Sequence, residues 1–175
     1  MKRIFAPLLL VLAVAICTLL FFRESNAPRS DEVLIKNFDD RKLAYEHLRD
    51  LFLADGKVLL IADWGVETPG SVLSVKPPVA ELSLIRYDQY LALFKEIGGS
   101  VVARSEVGLP EACIYVWADG FAGETRHEAV CWLNQPPQGQ VARLDEIEKR
   151  SAAANGKRTT VYRHIESNWY LQRDE

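Results

Sequence analysis

The sequence predicts an α+β fold: an antiparallel sheet of about five to six strands with two to three helices packed on one face, preceded by one N-terminal transmembrane helix. Three observations point there. An uncharged run of 19 residues, Ile4–Phe22, follows directly on Lys2 and Arg3. Behind it, apolar residues recur at helical spacing and then, in the later part of the chain, at every second position. The strands also come in runs, with the helices set apart from them, which is how a sheet with segregated helices reads.

The N-terminal run comes first. At about 1.5 Å rise per residue it makes a helix of about 28 Å, close to the hydrocarbon thickness of a bilayer. Pro7 lies in its first turns, where a missing amide donor costs least. Positive charge on the Met1 side, against a cancelling Arg23-Glu24 pair beyond, directs Met1 inward and the rest of the chain outward. The run is longer than the core of an ordinary signal peptide, and the cleavage-like Ser25-Asn26-Ala27 is followed by Pro28. An uncleaved anchor therefore fits best, with a cleaved signal or lipidation at Cys17 as alternatives of the same topology. The organisation expected is an anchor over residues 1–22, a polar linker over 23–31 and a domain over 32–175, a size at which a single core is ordinary.

Within the domain, Phe38, Tyr45, Leu48 and Phe52 predict one helix from the linker to about Leu53, stopped by Asp55-Gly56. The apolar run Val58–Trp64 predicts a buried strand. Residues Val66–Leu82, with Pro69, Gly70, Pro77 and Pro78, read as loop. Leu84–Ile97 predicts a second helix with Tyr87, Tyr90, Leu91, Phe94 and Ile97 on one face, ended by Gly98-Gly99. Ser100–Val107, Ala112–Ala118 and His127–Leu133 predict a meander. Asn134–Gln140 reads as a connector, Val141–Ala154 as a third helix, and Thr159–Ile165 and Trp169–Gln172 as two strands about a Ser167-Asn168 turn.

Three cysteines are present. Cys17 lies in the apolar run and serves there as a small hydrophobe. Cys113 and Cys131 form an even pair in an oxidising compartment, which predicts a disulfide. If the hairpin between them folds about Ala122, they stand opposite each other. Their spacing suits neither a redox CxxC pair nor a zinc site.

The segments AYEHLRDLFLADG, YLALFKEIGG, IYVWADGFAG and NWYL together resemble a loose family of uncharacterised bacterial envelope proteins, lipoprotein-like or membrane-anchored. Members of that family carry a lysine-glycine pair after the hairpin turn, where this chain has Arg126-His127. The resemblance implies an α+β domain and an envelope location: a single pass through the inner membrane with the C-terminal domain in the periplasm.

Composition narrows function by exclusion. The formal net charge is -3, and no basic stripe with interleaved aromatics is present, which argues against nucleic acid as a partner. His47, His127 and His164 lack partners at ligand spacing, so no metal and no cofactor is expected, and no nucleophile, phosphate-loop or metalloprotease motif is found. The expectation is a binding or interaction domain without catalytic activity, such as an immunity or inhibitor-type protein, that meets a protein or another envelope component. Its candidate surface is the hairpin tip: Trp117, Asp119, Glu124, Arg126 and His127, together with Trp132, since Trp and Arg are enriched among binding hot spots. Trp64 and Trp169 are assigned to the core, and Arg104 to an ion pair. A hydrolase using Asp63 and Glu67 on envelope polymers, or a structural subunit of an envelope assembly, are the alternative functions.

Overall fold

The computed structural model describes residues 28–71, 75–105, 108, 110–119, 126–153 and 159–174; the expected anchor Ile4–Phe22 and the tip residue Glu124 lie outside them. Among the described residues no helix is long and apolar enough to cross a membrane. The fold is α+β, and the described residues form a seven-stranded antiparallel sheet and four helices. In chain order these are α1 (Asp31–Asp40), α2 (Lys42–Ala54), β1 (Leu60–Ala62), β2 (Gly65–Glu67), α3 (Leu84–Ile97), β3 (Val101–Ala103), β4 (Glu111–Asp119), β5 (Arg126–Leu133), a 3-10 turn Leu144–Glu146 running into α4 (Ile147–Ala153), β6 (Thr160–Glu166) and β7 (Trp169–Asp174). The sheet order is β2-β1-β3-β4-β5-β7-β6.

The single helix expected up to Leu53 is two helices broken at Arg41, whose φ of −129° and ψ of 22° leave the helical region. No proline or glycine marks the break. Asp39 and Asp40 put negative charge on the carbonyl end of α1, against its dipole. Arg41 then anchors the bend, donating from Nε to the Glu96 carbonyl at 2.8 Å and from Nη1 to Asn37 Oδ1 at 2.6 Å. α3 follows the sequence closely. Ser83 Oγ accepts from Arg86 N at 3.3 Å, and Gly98 ends the helix at φ 73°, a left-handed conformation that suits glycine.

The third expected helix is shorter than its sequence pattern. Val141 N donates to the Tyr162 carbonyl at 2.8 Å and Tyr162 N to the Gly139 carbonyl at 3.2 Å. Residues 139–141 are thus held extended along β6, so helix begins beyond Arg143. The same pairing covers the outer edge of β6, which would otherwise present unpaired backbone groups.

The strand count also exceeds the expectation. β2 falls in a stretch read partly as loop, because three residues are too few to show a period. Ala62 pairs with Gly65 across a two-residue turn of Asp63 and Trp64, which leaves Trp64 54% exposed rather than in the core. Trp169, in contrast, is 2% exposed and packs its ring 5.2 Å from Phe38.

Alternation along the strands divides the sheet. Ile61, Val102, Ala112, Ile114, Val116, Val130, Trp169 and Leu171 face the helices and close the core with Leu34, Phe38, Tyr45, Leu48, Phe52, Tyr90 and Phe94. The C-terminal end of α2 is fixed to α3 by Asp55, whose Oδ2 accepts from Tyr90 Oη at 2.7 Å and from Arg86 Nε at 2.9 Å. Burial and this carboxylate push the Tyr90 phenol well above its ordinary range. Arg104, read as an ion-pair residue, lies just past β3, buried, with its guanidinium 4.1 Å over the Phe52 ring and donating to the Phe52 carbonyl. α3 meets β4 closely at Gly99: a Cβ there would lie 2.9 Å from the Tyr115 carbonyl oxygen. Gly99→Ala is therefore expected to cost about 1–3 kcal/mol, read as a lowered urea midpoint with unchanged slope.

Two buried carboxylates hold the start of the domain. Glu128, fully buried on β5, accepts from Arg173 Nε at 2.9 Å through Oε1 and from Arg29 N at 3.0 Å through Oε2. Arg173 Nη2 in turn donates to the Arg29 carbonyl at 2.8 Å. Asp31 Oδ2 accepts from Leu144 N at 3.0 Å and Arg163 Nη1 at 2.6 Å. Arg29 and Asp31, at the end of the stretch read as a linker, are thereby bound into the domain.

Candidate functional site

The second face of the sheet carries the side chains that alternate with the core. Its middle is not bare: Ala129, Cys131, Tyr170 and Gln172 are all buried. Register fixes its layout. Tyr115, Ala129, Gln172 and Tyr162 form one cross-strand row over β4, β5, β7 and β6. The next row is Cys113, Cys131, Tyr170 and His164, and Glu111 with Leu133 lies beyond it. In the first row Tyr115 and Tyr162 flank Ala129 and Gln172 and leave a trough between them; in the second, Tyr170 lies between Cys131 and His164 and is buried. Tyr115 and Tyr162 stand three strand spacings apart, about 14 Å between backbones.

Cys113 and Cys131 are joined by a disulfide, with Cα atoms 4.0 Å apart across the ladder. This is the opposed pairing that a hairpin centred on Ala122 requires. The register slips by one between Tyr115 and Trp117, so a bulge lies past the disulfide and leaves that pairing intact. Gln172 lies over the bridge, with Oε1 2.9 Å from Cys131 Sγ and 3.4 Å from Cys113 Sγ. Neither bridged sulfur carries a proton, so these are oxygen–sulfur contacts. The Gln172 amide nitrogen lies 3.4 Å from His127 Nε2, which is 3.6 Å from Asp174 Oδ2; Thr160 Oγ1 donates to Asp174 Oδ1 at 3.0 Å. The Tyr115 ring meets the His127 ring edge-on at 4.7 Å.

Two adjoining cavities open along the trough. One, of about 240 Å³, is lined by Cys113, Tyr115, Gln172, Tyr162 and Arg104 among others. The second, of about 380 Å³, continues past Glu111, Leu133 and Tyr162 to Asn134, Gln135 and Pro137. Glu111, Leu133 and Tyr162 line both, so the two form one groove. Burial, with the Glu111 charge beside it, pushes the Tyr162 phenol above its ordinary value. Among the described residues no group of three or more His, Cys, Asp or Glu could hold a metal ion.

The sequence-predicted surface residues are distributed over both faces. His127 is buried, on the trough side. Arg126 is exposed at the start of β5, opposite Asp119, and Trp117 stands half-buried opposite Glu128. Trp132, five residues beyond His127, points to the helix side, where Arg49 of α2 lies 5.6 Å from its ring and equally far from the Trp169 ring. His127 and Trp132 are thus on opposite faces and at opposite ends of β5. Asp63 and Glu67 are not brought together either: Asp63 sits in the exposed turn, while Glu67 pairs with Leu60, three residues back along β1. That is about 10 Å of strand, and neither carboxylate lines the groove.

Glu111, Tyr115, Tyr162 and Gln172 were missed by sequence reasoning. Period-two alternation does place Glu111 and Tyr115 on the face of Cys113, so half of the groove had a signal. Joining that half to Tyr162 and Gln172 requires knowing that β7 inserts between β5 and β6. Compared with family models, curated proteins and solved structures, the chain matches none.

Proposed function

We propose that this chain is a membrane-anchored, extracytoplasmic binding domain that engages its partner through the groove on the second face of the sheet. The observation that carries this reading is the groove itself, lined by Tyr115, Tyr162 and the disulfide-bonded Cys113. Concave, mixed apolar and polar surfaces set on rigid strands are where ligands bind. The apolar run Ile4–Phe22 supports the membrane location, and a bridged cysteine pair goes with an oxidising compartment. Glu111 is the one carboxylate among the described lining residues, whereas most glycosidases need two flanking the scissile bond, which favours binding over hydrolysis. An immunity-type inhibitor that traps a toxin at the envelope is one form of this reading.

The test is site-specific photocrosslinking in cells producing the full chain. A photoreactive residue at position 162 is expected to yield a discrete adduct. The same residue at Leu43, 81% exposed on α2, is expected to yield none. Adducts from position 43 with none from 162 would overturn the reading.

A further inference from the structure

We infer that the groove binds a neutral glycan strand, an inference that rests on the binding-domain reading above. Its polar lining includes the amides of Asn134 and Gln135 and the carboxylate of Glu111, whose Oε1 accepts from Ser105 N, while the Gln172 amide beneath them is buried and held against the disulfide and His127. Such groups pair with the adjacent hydroxyls and acetamido groups of sugars. Tyr115 and Tyr162 both line the groove about 14 Å apart between backbones, and aromatic side chains of this kind pack on the apolar C–H faces of pyranoses. Charge selects against polyanions. Arg104 is the one cation among the described lining residues, and it is buried against the Phe52 ring and carbonyl. Geometry also selects against an added peptide strand, because the groove is walled by side chains, and residues 139–141 occupy the neighbouring edge of β6.

The experiment is calorimetric titration of the full chain, in a detergent without a sugar headgroup, against neutral six-sugar oligomers of N-acetylglucosamine, glucose and mannose, with heparin and an unstructured peptide in parallel. Saturable binding of a neutral oligomer is expected. Tyr162→Ala and Tyr115→Ala should each weaken it about tenfold, the scale of one lost aromatic contact. Tyr162→Phe should stay close to the parent, and Trp64→Ala, remote from the groove, should leave binding unchanged. Circular dichroism confirms that each variant is folded. Absence of binding to all three oligomers, preference for heparin or peptide, or binding indifferent to both tyrosines would overturn the inference. An adduct with a protein from position 162, alongside no glycan binding, would overturn the glycan and leave the binding-domain reading intact.

Discussion

Arg173→Ala is expected to lower the stability of the domain by about 3–5 kcal/mol, because it leaves the fully buried carboxylate of Glu128 without its cation. The same change removes the donor to the Arg29 carbonyl, so the loss should be accompanied by increased protease cleavage near Arg29. Chemical denaturation read by near-ultraviolet circular dichroism measures the first effect, and limited proteolysis with mass spectrometry the second. A variant as stable as the parent would show that the pair contributes little.

Glu128 also gives the pair a pH signature. Burial raises its pKa above the ordinary carboxylate value, against the opposing pull of Arg173 and of the Arg29 amide. The folded state therefore binds this proton more readily than the unfolded chain does. The contribution of this group is fully present below the unfolded pKa, near 4.5, and is lost as pH rises through the raised folded value. Glu128→Gln leaves Arg173 without its anion and should be less stable than the parent at low pH, and the difference should narrow as pH rises above about 4.5.

Removing the disulfide has the second largest expected effect. The bridge closes a loop of sequence separation 18, for which chain entropy gives a stabilisation of about 3 kcal/mol. Cys113→Ala with Cys131→Ala should lower the midpoint of thermal unfolding by about 6–12 °C. Because Gln172 rests on both sulfurs, the same variant should also loosen the groove floor, visible as faster amide exchange at residue 172. A midpoint unchanged by the double substitution would mean that the hairpin ladder alone sets the stability of this region.

Much of the fold was legible in the sequence where local chemistry is strong. Leu84–Ile97 is legible because a helical stripe and a glycine pair agree. β4 and β5 were placed by alternation, and the Cys113–Cys131 bridge by hairpin symmetry about Ala122. The errors have physical causes. The break at Arg41 depends on a carbonyl of Glu96 that is 55 residues away, and the shortened third helix depends on pairing with Tyr162. Trp64 was assigned to the core because its strand is apolar, yet a two-residue turn exposes it. The groove was half legible. Parity with Cys113 selects Glu111 and Tyr115, but Gln172 and Tyr162 join them through a strand order that no local pattern encodes. The residues expected at the hairpin tip divide between the two faces of β5, because His127 and Trp132, close in sequence, differ in parity.

Oxidative side-chain footprinting of the full chain compares its occupied surfaces directly, once in intact envelopes and once after purification. If the groove is the working surface, Tyr115 and Tyr162 will be protected in envelopes and oxidised after purification, while Trp64 and Leu43 react equally in both. Protection of Trp64 or Leu43 with no change at the two tyrosines would contradict it.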